Sequence, residues 1–133
     1  MNTPVSVLWG ASGRSILAFL PKADVDRIYT AEGRAPASGE PLPARRTLEG
    51  ELANIRKRGY DITYGQKIAE AVGIGAPIFN VNGKVVGSLC VTVPKTRIAA
   101  KDRPRLGELV RRTAERLSAA LGSSVETDIQ EIA

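Results

Sequence analysis

Histidine is absent from this 133-residue chain, cysteine occurs once, and the aromatic residues are one Trp, three Tyr and two Phe. Without histidine, no Ser-His or Cys-His nucleophile can be assembled. Imidazole metal sites are excluded too, and one thiol cannot build a thiolate site. The enzyme designs that survive use paired carboxylates or a lysine base. A lone cysteine excludes an intrachain disulfide and fits a reducing, cytoplasmic setting. No apolar run approaches the roughly 20 residues that span a bilayer. The opening MNTPVSVLWG lacks the charged start of a secretory signal. The expectation is therefore no catalysis, no cofactor, no metal and no membrane.

What is present is ordinary for one soluble domain: 43% hydrophobic and 25% charged residues, enough to bury a core. The net charge of +5 raises the question of a nucleic-acid partner. Yet Arg45-Arg46, Lys57-Arg58 and Arg111-Arg112 lie in three separate segments without interleaved aromatics. They read as solvated helix faces and helix ends.

Along the chain, VSVL (5–8) reads as a short edge strand. Ser12 caps a helix to about Leu20, with Ile16, Leu17 and Leu20 inward, and Pro21 stops it. A second helix runs from Lys22 to Tyr29. Residues 31–45, rich in proline and glycine, form a loop. Thr47 caps a third helix that Gly59 ends after Lys57 and Arg58. YDITY (60–64) alternates as a strand, and 65–73 is ambiguous. Strands over 74–81 and 84–93 flank Asn82-Gly83, which predicts a type I′ hairpin turn. Pro77 requires its strand to be at an edge or irregular. A last helix spans Lys101 to Leu121, with Leu106, Val110, Thr113, Leu117 and Leu121 on one face and Gly122 at its end. This order predicts an α+β fold, a mostly antiparallel sheet covered by helices, with few enough strands to leave the sheet incomplete.

The segment GSLCVTVP (87–94) splits by strand period. Leu89, Val91 and Val93 fall on one face, and Ser88, Cys90 and Thr92 on the other. Cys90 has no histidine to activate it, so it reads as a small packed or pocket-lining residue. GASGR (10–14) lacks the glycine spacing and Lys-Ser/Thr of a phosphate loop and reads as a helix start. Glu49, Glu51 and Asp61 are not placed in one cleft by any spacing, so no catalytic dyad is assigned.

Three segments, RRTLEGELANIRKRGYDI, GAPIFNVNGKVVGSLCVTVP and the closing amphipathic helix, together with WGASGRSILAFLP, resemble the C-terminal effector-binding domain of IclR-type transcriptional regulators. The likeness runs from about Leu8 to Gly122, with Arg14 where that family has a lysine. It implies a GAF- or PAS-like fold over 1–122, followed by a polar tail over 123–133. It further implies a small-molecule effector and a homodimer or tetramer. DNA would be bound only through a helix-turn-helix domain that this chain does not show. The first strands of the effector domain also have no counterpart here, so a natural short form and a fragment both fit. By resemblance, the ligand positions fall on Ala11 and Ser12 (a turn donating backbone N–H groups), Thr63 (acidic in the family), Gly73 (a pocket cysteine in binders of small keto acids), and Cys90 and Thr92. Losing the acid and the cysteine implies a wider pocket, taking a small organic acid or aromatic metabolite held by backbone N–H groups near Ser12. Alternatives are a small enzyme on this scaffold using Cys90, or a dimerisation module without a ligand. The pocket reading requires the Ser12 turn and the Cys90/Thr92 face to be close together.

Overall fold

The computed structural model describes residues 8–31, 39–66 and 68–132, the last ten as helical backbone. Residues 5–7 of the expected strand over 5–8 and the centre of the 31–45 loop lie outside these residues, and Leu8 is a buried residue in a bend. The elements are α1 (Ala11–Leu17), α2 (Lys22–Ala31), α3 (Arg45–Arg58), β1 (Asp61–Tyr64), β2 (Ala71–Phe79), β3 (Val85–Pro94) and α4 (Arg103–Ile132). Two short 3₁₀ turns, Lys95–Arg97 and Ala100–Asp102, link β3 to α4. The sheet is antiparallel with order β1-β2-β3, so β2 is central, and among the described residues no strand pairs with the outer edge of β3. The class is α+β with an open sheet, as the sequence predicts.

Two cores lie on opposite sides of the sheet. Trp9, Leu17, Val25, Leu48, Leu52 and Ile55 pack α1, α2 and α3 together. Val72, Ile74 and Ala76 of β2 meet Val110 and Ala114 of α4, with Leu89, Val91 and Val93 half-buried beside them. The period-2 split of β3 is therefore real: its leucine and valines face α4. Each fully buried Leu or Ile contributes about 1.5–3 kcal/mol.

Several local expectations change. Gly10, with φ 81, precedes α1, and no side chain caps it; the Ser12 hydroxyl instead bonds Ser88 at 2.9 Å. Helix α1 also stops at Leu17, short of Leu20. Helix α3 begins at Arg45, so Thr47 lies inside it rather than at its cap. Gly59 does end it, in the left-handed region at φ 84. The hairpin is not a two-residue type I′ turn, because no non-glycine residue among those described has positive φ. Gly83 N–H bonds Asn80 O at 3.0 Å and Asn80 N–H bonds Lys84 O at 2.8 Å. This is a three-residue loop with a left-handed glycine, Gly83 at φ 78. Asn80 Oδ1 favours it by accepting from the N–H groups of Asn82 and Lys84. Pro77 sits in the central strand, but β1 reaches only as far as the Asp61–Gly75 pair. Phe79 N–H points away from β3 to Ser118 Oγ. Pro77, two residues earlier, shares that side, where no strand needs its missing donor.

Helix α4 is rotated relative to its sequence pattern. The row that meets the sheet is Gly107, Val110, Ala114 and Ser118, while Leu117 and Leu121 are 40% and 44% exposed. Small residues made this possible. A Cβ on Gly107 would lie 2.3 Å from Cε2 of Tyr60, whose ring occupies that space. The helix also continues through Gly122 to Ile132 rather than ending there.

Asp61, 1% exposed, anchors α1 to the sheet edge. Arg14 Nε donates to its Oδ2 at 2.8 Å, Arg58 Nη2 reaches its Oδ1 at 3.1 Å, and Arg14 Nη1 lies 3.0 Å from Glu51 Oε2. Burial pushes the Asp61 carboxyl above its usual value, and Arg14 and Arg58 pull it only part of the way back. Burial lowers the Arg14 guanidinium, but Asp61 and Glu51 outweigh it and hold it above its usual value. Such a pair adds little net stability but is costly to break on one side.

Two pairs of variants test this packing by urea denaturation. Gly107→Ala is expected to destabilise, because overpacking of about 1–3 kcal/mol exceeds the ~1 kcal/mol gained in helix propensity. Gly50→Ala in α3, where a Cβ meets nothing within 4 Å, is expected to stabilise by roughly 0.5–1 kcal/mol. Asp61→Ala is expected to cost about 3 kcal/mol by removing the buried partner of Arg14 and leaving it only the more exposed Glu51. The double variant Arg14→Met/Asp61→Leu should recover most of that loss; failure to recover would show that the charges themselves hold α1 in place.

Candidate functional site

Strand register determines which side chains face α1. Thr63 pairs with Gly73, which pairs with Thr92; Gly75 pairs with Cys90, and Pro77 with Ser88. Directly opposed residues share a face, so Thr63, Gly73, Gly75, Ser88, Cys90 and Thr92 all point to the α1 side. Residues on this face of β2 are nearly bare, and α1 comes in close. A Cβ on Gly75 would sit 2.5 Å from the Ala11 carbonyl oxygen and 3.1 Å from Ser12 N. The start of α1 can lie there only because position 75 is glycine.

The turn at Gly10 is then fastened by side chains of the β1 end. Ala11 N–H donates to Thr63 Oγ1 at 3.1 Å, and Gly10 N–H donates to Gln66 Oε1 at 2.8 Å. Between this turn and the outer part of the sheet lies a cavity of about 290 Å³, at the small end of the ~300–1,000 Å³ typical of ligand pockets.

All six residues predicted from the sequence, Ala11, Ser12, Thr63, Gly73, Cys90 and Thr92, line this cavity. The Ser12 turn and the β3 face are adjacent, joined by the Ser12–Ser88 bond. Arg14 does not line it; its charge is committed to Asp61 and Glu51. Five lining residues were not identified from sequence: Gly10, Gly65, Gln66, Ile68 and Ala71. Most belong to the segment joining β1 to β2, which has neither helical nor strand periodicity. Its one legible signal was Gly65, which turns the chain at φ 68.

Two features narrow the expectations about the pocket. The N–H groups of Gly10 and Ala11 are occupied by Gln66 and Thr63, so of the two predicted backbone donors, Ala11 and Ser12, the expectation of an N–H for a carboxylate rests on Ser12. Gly73 adds little width. A Cβ there would be 3.1 Å from Thr63 Oγ1 and 3.6 Å from Ala11 Cβ, so α1 has already taken that space.

Among the described residues the lining itself carries no Lys, Arg, Asp or Glu, although Lys95 Nζ comes within 3.4 Å of where a Cβ on Gly65 would lie. Cys90 is exposed, and its thiol lies 3.9 Å from the Val91 carbonyl oxygen, with no base bonded to it among the described residues. No group of three or more acidic or cysteine side chains among the described residues could hold a metal ion. Chemically, the described lining is uncharged and mostly apolar, with a few hydroxyl and amide groups at its wall. No helix of the described residues is long and apolar enough to cross a membrane.

Comparison with known proteins agrees with this architecture. Residues 5–119 match the family model described as "Bacterial transcriptional regulator IclR C-terminal". A probable HTH-type transcriptional regulator ArcR from Halobacterium salinarum is 35% identical over 97 residues, covering 73% of this chain and 37% of the relative. The HTH-type transcriptional regulator KipR of Bacillus subtilis is 30% identical over 114 residues, covering 85% and 45%. This chain thus spans less than half the length of either relative. Among solved structures, the repressor BlcR of Agobacterium tumefaciens superposes with a TM-score of 0.79 at 28% identity, covering 92% of this chain and 49% of that one. The Thermotoga maritima IclR gives 0.79 at 27% identity, again over 92% and 49%. The chain belongs to the IclR family of bacterial transcriptional regulators and corresponds to the effector-binding domain of its C-terminal half.

Proposed function

We propose that this domain senses a small organic molecule in the cavity between α1 and the sheet. A small organic acid or aromatic metabolite is the ligand class, and regulation of transcription is the outcome. The observation that carries the reading is convergence. Residues from α1, β1, β2 and β3, far apart in sequence, meet around one recess whose described lining is uncharged. A packed sheet surface with no ligand role has no need of a recess at the place where a helix crosses two glycines. The relatives are regulators rather than enzymes, and no observation favours a Cys90 nucleophile. DNA binding, in this proposal, belongs to a separate helix-turn-helix domain of the parent regulator.

The domain is also proposed to self-associate. The edge of β3 that no strand of the described residues covers runs over ten residues, VVGSLCVTVP, without a single charge. Val86 on this strand and Leu109 on α4 are 57% and 55% exposed. Uncharged edges of this length tend to be covered.

A thermal-shift screen over organic acids and aromatic metabolites tests the sensor. A ligand at 100 times its Kd stabilises by about 2.7 kcal/mol, which raises Tm by roughly 10 °C in a domain of this size. Thr92→Phe, placing a ring in the recess, is expected to abolish that shift while leaving the unliganded Tm within a few degrees. A screen without a hit, or a hit indifferent to Thr92→Phe, counts against the cavity. Light scattering tests self-association: a strict monomer at high concentration removes that part.

A further inference from the structure

Most polar groups in the cavity are committed to one another. Thr63 Oγ1 holds the Ala11 N–H, and the Ser12 and Ser88 hydroxyls bond each other. Gln66 is different. Its side chain accepts from Gly10 N–H at 2.8 Å. A backbone N–H can only donate, so the carboxamide oxygen must face Gly10 and the amide orientation is fixed. The other end, Nε2, then carries two donor hydrogens. It has no hydrogen-bond partner among the described residues, and it is not among the sealed, unpartnered atoms. Gln66 thus brings an oriented donor to a recess that, among the described residues, is lined by no carboxylate to receive a cation.

We infer that Gln66 sets the polarity of the ligand: its Nε2 donates to a carbonyl or carboxylate oxygen, while the ligand's apolar body rests against Ile68, Ala71 and the Cys90/Thr92 wall. This rests on the effector reading above and narrows it. Carbonyl- and carboxyl-bearing compounds are accepted and amines are rejected. Gln66 is also the link between ligand and fold, because its oxygen holds the turn that starts α1.

Gln66→Glu provides the test. A glutamate keeps an oxygen for Gly10 N–H but presents a charged acceptor, not a donor, to the cavity. Benzoate, acetophenone and benzylamine serve as probes of similar size, titrated calorimetrically into the full chain and the variant. The parent is expected to bind benzoate and acetophenone and not benzylamine. In Gln66→Glu, the affinity for the two oxygen-bearing probes should fall at least tenfold and benzylamine should bind. Unchanged Kd values in the variant, or benzylamine binding the parent as well as benzoate does, overturn the role of Gln66 and leave the cavity reading intact. If no probe binds the parent, and a wider screen finds no ligand either, the effector reading fails with it. A second measurement does not depend on how the variant folds. In the ¹⁵N-labelled parent, the Gln66 Nε2 resonances should move on adding benzoate; if they stay fixed while other cavity resonances move, the inference is wrong.

Discussion

The rest of this structure depends on one close approach: the first residues of α1 lying directly on β2. The Ala11 carbonyl occupies the space where a side chain at position 75 would be. That contact sets the height of α1 above the sheet. It brings the Gly10 and Ala11 N–H groups within reach of Gln66 and Thr63, and the Ser12 hydroxyl within reach of Ser88. It also leaves the recess beside α1, over the part of the face built from Gly73, Cys90 and Thr92. Arg14, one turn further along α1, is drawn down to Asp61 by the same placement.

The two faces of the sheet do different work. The α4 face is apolar and closely packed, and it carries most of the stability that this sheet has to offer. The α1 face is built from small and weakly polar residues, with polar groups bonded across long sequence separations. It has little apolar surface to bury and correspondingly more freedom to hold something else. A sensor needs this division: a rigid side that keeps the fold and a lightly packed side whose contacts a ligand can replace or extend. Gln66 and Thr63 hold the helix start by single hydrogen bonds, each worth about 1 kcal/mol net, so the turn is fixed yet open to change by a bound molecule.

Much of this was legible in the sequence, and the parts that were not share a cause. Alternation in GSLCVTVP identified the two sheet faces, because period 2 needs only residue types. The helices, the hairpin position and the exit at Gly59 followed from apolar spacing and turn chemistry. What escaped was the work of small residues. Gly75, Gly107, Ala114 and Ser118 act by leaving room, and a sequence pattern weights large apolar side chains instead. Hence Leu117 and Leu121 were assigned to the buried face of α4, while Gly107 and Ala114 hold it. The caps of α1 and α3 escaped because Ser12 and Thr47 have the right chemistry one or more residues too late. Gln66 escaped because its segment is neither helix nor strand, and its partner, Gly10, is 56 residues away.

The central claim is that the recess exists because α1 rests on a bare glycine. Amide hydrogen exchange on Gly75→Ala tests it most directly. A Cβ at position 75 forces α1 off the sheet, so protection should fall across residues 10–17, including the Gly10 and Ala11 N–H groups that Gln66 Oε1 and Thr63 Oγ1 accept. Protection of β2 and α4 at Val72, Ile74, Val110 and Ala114 should hold. If the α1 amides of Gly75→Ala exchange as slowly as those of the parent chain, the close approach is not what shapes the site, and the account is wrong.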